Sequence, residues 1–157
     1  TTEKSVEGFL FPGDYLIRRD ISAKALVQTF IDRFNQEVPE EEMQTAAANG
    51  ITPYEAVILA SIVQRETFAE DERPLMASVF YNRLTQGMRL ETDPTVQYAV
   101  GYGSSWGWWK SPLDSSDLDI QSEYNTYLIN GLPPAPIANP DAASIRAVLS
   151  PDRKSVV

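Results

Sequence analysis

The stretch that most constrains the fold runs from Thr52 to Glu66 (TPYEAVILASIVQRE). Thr52, Pro53 and Glu55 have the layout of a helix start. Thr stands as N-cap, Pro falls in the first turn, and Glu follows three residues on to close a capping box. From Tyr54 to Val63, the residues Tyr54, Ala56, Val57, Ile58, Leu59, Ala60, Ile62 and Val63 cover nearly the whole circumference of that helix. A helix apolar on almost every side has to be buried on almost every side, so the remaining chain must wrap it. Polarity returns at Gln64, Arg65 and Glu66. A carboxylate in the last turn faces the negative end of the helix macrodipole. An apolar setting pushes the same way, so both effects favour a protonated Glu66. A general acid that keeps its proton near neutral pH needs that property. The plainer reading is a solvated Glu at a helix end.

What composition excludes narrows the chemistry. The 157 residues suit one domain with a real core. A formal charge of -9 argues against nucleic acid or an anionic membrane surface as the main partner. No run of apolar residues is long enough to span a bilayer, and no signal-peptide layout is visible. The chain has no Cys, which removes disulfides, thiol nucleophiles and Cys-ligated metals. It also has no His, which removes a Ser-His-Asp triad, a His-ligated zinc and a His general base. Proton transfers in an enzyme of this composition fall to Asp, Glu, Lys or Tyr.

Around the central helix the chain divides into short pieces. Val6–Leu16 is an aromatic-rich extended segment broken by Pro12-Gly13, read as a core strand and turn. Ser22 caps a helix carrying Leu26, Phe30 and Phe34 on one face. Pro39–Ala48 is a short acidic helix stopped at Asn49-Gly50. Pro74 begins a helix with Leu75, Val79, Phe80 and Leu84 as its inner stripe, and Asn82 and Arg83 near its end are candidates for a cleft. Met88–Tyr98 has strand-like composition interrupted by Asp93-Pro94, with Glu91 and Asp93 on one side and Thr92 on the other. Gly101–Glu123 is a Gly- and Ser-rich loop holding all three tryptophans, Trp106, Trp108 and Trp109. Flat apolar faces with a polar edge suit sugar rings, so this loop reads as a glycan groove or as a loop folded down by its own aromatics. Tyr124–Tyr127 (YNTY) and the rigid run Gly131–Pro140 (GLPPAPIANP) follow. Asn139 and Pro140 then cap a last helix with Ile145 and Leu149 inside. These patterns predict an α+β domain, mainly helical, with a small β portion and long Pro/Gly-rich loops.

The wording of the motifs goes further. EGFLFPGDY at Glu7–Tyr15, LASIVQRET at Leu59–Thr67, ERPLMASVFYNRLTQGMRLETDPTVQYAVG at Glu72–Gly101 and YNTYLINGLPPAPIANP at Tyr124–Pro140 strongly resemble the endolytic murein transglycosylases of the YceG-like family. The likeness runs from about Glu7 to Leu149, with the blocks in family order. It implies one catalytic domain over residues 1–157, with lysozyme-like active-site logic. The implied reaction cuts peptidoglycan glycan strands between N-acetylmuramic acid and N-acetylglucosamine without water, leaving a 1,6-anhydromuramic end. The family's catalytic Glu, in the Glu-Thr pair after the buried helix, corresponds to Glu66. The family often has a second Glu two residues earlier, where this chain has Gln64. Other departures are Glu91 for the usual Gln, Ala135 for Gly, and Gly13-Asp14 for Asp-Thr before Tyr15.

Asn82, Arg83, Glu91, Thr92, Asp93, Trp106, Tyr124, Asn125 and Thr126 are the expected substrate-binding residues. No cofactor and no metal is expected. The implied partners are glycan strands and, for a full-length protein, peptidoglycan synthases, at the extracytoplasmic face of a bacterial membrane. The membrane helix, LysM-like subdomain and C-terminal strands of family members are not evident in the sequence. Two other classes remain open: a two-carboxylate hydrolase pairing Glu66 with Asp93 or Glu91, and a non-catalytic glycan-binding module using the tryptophan loop.

Overall fold

The structure is a computed structural model and describes residues 5–152. Helix α1 spans Ala23–Glu37 and α2 spans Glu40–Gln44, followed by a 3-10 turn at Thr45–Asn49. The central helix α3 is Pro53–Glu66. A 3-10 turn at Glu70–Glu72 leads into α4, Arg73–Thr85; α5 is Asp93–Val100 and α6 is Ala142–Leu149.

The start of α3 follows from local chemistry. The Thr52 hydroxyl accepts from the Glu55 N–H at 3.2 Å, and the Glu55 carboxylate accepts from the Thr52 N–H at 2.7 Å. Every residue from Ala56 to Val63 is buried, including Ser61. Helix α6 lies across both α3 and α4. Tyr81 of α4 donates its hydroxyl to the Val148 carbonyl of α6 at 3.0 Å, which closes the three-helix packing.

The N-terminal end of α6 is the main polar joint in this core. Asp141 is its N-cap and accepts from the Ser144 N–H at 2.8 Å. The buried Arg73 guanidinium holds the same carboxylate at 2.8 and 2.9 Å. Gln64 accepts from both the Asp141 N–H and the Ser144 hydroxyl at 2.9 Å. Burial opposes ionisation of Asp141, but the Ser144 N–H and the Arg73 charge outweigh it and hold the carboxyl below its ordinary range. The sequence pattern places the cap at Asn139-Pro140; the helix begins two residues later because Asn139 is used elsewhere. Its Oδ1 accepts from the Gly8 and Leu10 N–H groups at 2.8 and 3.1 Å.

That bracket explains the first correction to the expected fold. The expected α+β domain with a small β portion is not what forms: among the described residues there is no strand, only an isolated bridge between Gly103 and Gly107. The segment around Phe9 turns at Glu7-Gly8, and its N–H groups are spread over three acceptors instead of a partner strand: Gly8 and Leu10 donate to the Asn139 side chain, Phe9 to the Val6 carbonyl and Phe11 to the Phe30 carbonyl. It still serves the core, with Phe9 packed on Phe34 at 5.1 Å between ring centres. Gly8 is required here, because a Cβ would sit 2.5 Å from the Pro136 ring and its φ is +95°.

Met88–Tyr98 is the second correction. Asp93-Pro94 does not interrupt a strand; it opens α5, where the missing proline N–H costs nothing. Upstream, Glu91 has φ +52°, which ends any regular pleat. In α4 the buried face is Arg73, Ala77, Ser78, Phe80 and Tyr81, which keeps only Phe80 of the expected stripe. Leu75 is exposed, while Val79 and Leu84 are half-buried. Arg73 lies on the buried face, paired with Asp141.

The proline run packs directly on α3, with Pro133, Pro136 and Ile137 buried. The Ile137 N–H donates to the Ser61 hydroxyl at 3.0 Å, and that hydroxyl donates to the Ile58 carbonyl at 2.7 Å. Ser61→Ala strands a buried N–H, and the expected cost is about 1–3 kcal/mol. A urea titration showing a lower midpoint at unchanged slope is the expected result; an unchanged midpoint would refute this joint.

Candidate active site around Glu66

Glu66 is the last residue of α3. Thr67 closes the helix by donating both its N–H and its hydroxyl to the Val63 carbonyl, each at 3.2 Å. The Glu66 side chain is half-buried, and its Oε2 is buried without a hydrogen-bond partner. Its pKa is raised, first by burial and then by the charge of Asp93, with Arg83 pulling the other way.

Asp93 comes from the first position of α5. Tyr127 donates its hydroxyl to Asp93 Oδ1 at 2.8 Å. Burial, then that bond and the Asp93 charge, push the Tyr127 hydroxyl up to about 12; the charges of Glu66 and Glu91 add to the shift. Tyr127 therefore belongs to the same electrostatic group as Glu66. It is absent from the expected set, although it ends the YNTY motif that supplies three expected members. No sequence signal sets it apart from Tyr124, because its place here rests on the long-range bond to Asp93.

Arg83, at the end of α4, donates to the Leu90 carbonyl at 2.6 Å and lies 3.5 Å from the Glu91 carboxylate. It therefore shapes the turn that delivers Glu91, Thr92 and Asp93. Thr92 is buried, with a hydroxyl that has no hydrogen-bond partner. Its N–H donates to the Thr126 hydroxyl at 3.1 Å. Glu91 donates its N–H to the Thr126 carbonyl at 3.1 Å.

The expected residues thus separate into three groups. Glu66, Arg83, Glu91, Thr92 and Asp93 converge. Asn125 and Thr126 stand behind them, fully buried. Asn125 donates to the Leu118 and Ile120 carbonyls at 2.9 Å and accepts from the Tyr127 N–H at 3.0 Å. The Thr126 hydroxyl is shared with Thr95 at 2.7 Å. Both are among the expected substrate-binding residues; in the structure neither has exposed surface, and their side chains hydrogen-bond to the N–H groups of Tyr127 and Thr92. Tyr124 and Trp106 lie elsewhere. Tyr124 packs on Tyr98 at 4.8 Å between ring centres. Trp106 is pinned to its own loop, donating its indole N–H to the Gly101 carbonyl at 3.2 Å. Asn82 is exposed on α4 beside Arg83.

The tryptophan loop reaches the end of α3 through Trp109, over whose ring the Arg65 guanidinium sits at 3.9 Å. A second tie runs to α5, where Gln97 donates to the Lys110 carbonyl at 2.8 Å. Among the described residues no three Asp or Glu side chains converge in a metal-binding cluster. The chemistry on offer at Glu66 is proton transfer at one half-buried carboxyl group, near a second carboxylate that accepts from the Tyr127 hydroxyl.

Comparisons with known proteins bear on the same region. The family model described as "YceG-like family" matches residues 1–157. An endolytic murein transglycosylase of Bacillus subtilis (strain 168) is 38% identical over 149 residues, covering 94% of this chain and 39% of that protein. An endolytic murein transglycosylase of Streptococcus pneumoniae serotype 2 (strain D39) is 29% identical over 146 residues, covering 92% of this chain and 26% of the relative. The crystal structure of a yceG-like protein of Listeria monocytogenes superposes with a TM-score of 0.82 at 35% identity, covering 94% of this chain and 46% of that one. The chain spans less than half the length of each of these relatives. With a family match along the whole sequence and a backbone shared with a solved member, the chain belongs to the YceG-like family.

Proposed function

We propose that this chain is the catalytic core of an endolytic peptidoglycan lytic transglycosylase with Glu66 as its one acid-base group. The observation that carries the reading is the state of that carboxyl. It is half-buried, it is pushed toward its protonated form, and one oxygen is left without a protein partner. The names carried by the Bacillus and Streptococcus relatives supply the substrate class.

In the first step protonated Glu66 gives its proton to the glycosidic oxygen while the bond from the muramic C1 to that oxygen breaks. Positive charge develops at C1 and the ring oxygen, and the Asp93 carboxylate, held by Tyr127, favours that charge. In the second step the muramic C6 hydroxyl attacks C1. Its proton passes to the Glu66 carboxylate, which regenerates the acid. One sugar hydroxyl replaces the water that an ordinary glycosidase activates with a second carboxylate. The full-length protein would act at the extracytoplasmic face of the membrane, where nascent strands and peptidoglycan synthases are found.

Glu66→Gln keeps the shape and removes the proton. On purified glycan strands it is expected to lower turnover by about two to four powers of ten. Parental activity in that variant would disprove the assignment. Mass spectrometry of parental products should show ends lighter by one water than hydrolytic reducing ends; reducing ends would point to the Glu66–Asp93 hydrolase instead.

The same variant has a pH-dependent effect on folding. The folded protein raises the Glu66 proton affinity, so the stabilising contribution is complete below the unfolded value of about 4.3 and is lost as pH rises through the folded value. Glu66→Gln should therefore melt higher than the parent at neutral pH, with the gap closing toward acid. Equal melting temperatures at neutral pH would contradict the burial of this carboxyl.

Asp93→Asn removes a charge that raises the Glu66 pKa. A general acid fails as pH rises through its pKa, so the alkaline limb of kcat/KM is expected to move to lower pH. A limb that stays in place would remove Asp93 from the electrostatics of the site.

A further inference from the structure

A second concave feature lies along α5 from the Glu66 site. It is a cavity of about 490 Å³ lined by Glu7, Tyr98 and Trp108, within the size range of small-ligand sites. Its polar floor is organised: Tyr98 donates its hydroxyl to Glu7 Oε2 at 2.6 Å. Tyr124 backs Tyr98, with ring centres 4.8 Å apart. That contact gives Tyr124, one of the expected substrate-binding residues, its place in this structure. The aromatic wall is open to solvent: Trp108 is 67% exposed and Tyr102 is 64% exposed. Their ring centres lie 5.4 Å apart. Large aromatics left this open are not held for the core.

Two routes join this cavity to Glu66. On α5, Asp93 stands at the first position and Tyr98 five residues later, a rise of about 7.5 Å. On the loop, Trp108 is the neighbour of Trp109, which lies under Arg65, and Arg65 precedes Glu66. Five residues also turn about 140° around α5, so a strand whose cleaved bond lies at Glu66 reaches the cavity by passing round that helix.

We infer that Glu7, Tyr98 and Trp108 form a secondary subsite for a hexosamine without a peptide substituent, an N-acetylglucosamine-type ring, on the strand being cleaved. This inference rests on the reading of Glu66 given above. An indole face takes the apolar face of a pyranose. A carboxylate already oriented by a tyrosine accepts from sugar hydroxyls or an acetamido N–H. The sign of the charge selects between the two sugars of the polymer. Muramic acid carries a lactyl group and, in nascent strands, a peptide with carboxylates. Glu7, on a chain of net charge -9, disfavours that sugar and accepts the neutral one. The subsite thereby sets the register in which an alternating strand slides across Glu66.

The test uses penta-N-acetylchitopentaose, which is neutral and carries no peptide, titrated by calorimetry into the Glu66→Gln protein. Glu7→Gln and Trp108→Ala are then added one at a time. Glu7→Gln leaves an amide oxygen as acceptor for the Tyr98 hydroxyl, and Trp108 is exposed, so melting temperatures should stay near that of Glu66→Gln. Each added substitution is expected to weaken binding by about tenfold. Unchanged affinity in both would overturn the subsite. So would preferential binding of Nα-acetyl-lysine methylamide at this position, since the cavity would then be a cation site for the peptide amine. In an otherwise parental background, Glu7→Gln should still yield anhydro ends from purified peptidoglycan while raising KM. Loss of anhydro ends from the parent itself would fail the Glu66 reading and leave the chitopentaose result standing or falling separately.

Discussion

The structure depends on a helix with almost nowhere to meet water. From Ala56 to Val63 every side chain of α3 is covered, so α1, α4, α6, the phenylalanines of the N-terminal segment and the proline run all assemble around it. A rod buried on all sides has one place where polarity can return, and that is its end. Glu66 is there, where the carbonyl end of the helix and the loss of solvent both work against its charge. The property that suits it to proton transfer is a by-product of how the core is built.

What surrounds the end of that rod is held by side chains acting as brackets for backbone. Asn139 takes the N–H groups of Gly8 and Leu10. Arg83 holds the Leu90 carbonyl, and Asn125 spans the carbonyls of Leu118 and Ile120. Thr126 receives the Thr92 N–H. These bonds do the work that a small sheet does in other domains, and they allow Glu91 its left-handed backbone at the mouth of the site. Such a frame places individual residues without committing neighbouring residues to a regular pleat.

This division explains which parts were legible in the sequence. The capping box of Thr52 and Glu55, the buried run to Val63 and the Ser22 cap are local, and their periodicity names them. The missing strands are the opposite case. The alternation around Glu91 and the aromatic Phe9 segment read as extended, but Glu91 turns left-handed and the chain turns at Gly8, and several of their partners are side chains far away in the chain. Nothing in the spacing of Asn139 announces that it faces Gly8 across 131 positions. Within the candidate site, position left Glu66 open between a general acid and a solvated helix end, and the motifs singled it out together with Arg83 and Asp93. Tyr127 was not, because its claim rests on one long-range bond to Asp93. Asn125 and Thr126 were legible as motif members, but their burial was not.

Gln64 carries a consequence for relatives that have glutamate at this position. Its side-chain oxygen is turned away from Glu66, toward the first turn of α6, where the Asp141 N–H and the Ser144 hydroxyl donate to it. A carboxylate there would meet the same two donors beside the guanidinium of Arg73, which binds Asp141. It would bridge two helices on the side of α3 opposite Glu66, with Arg73 offsetting its repulsion from Asp141. Two acidic residues so close in sequence can thus be employed on opposite sides of one helix.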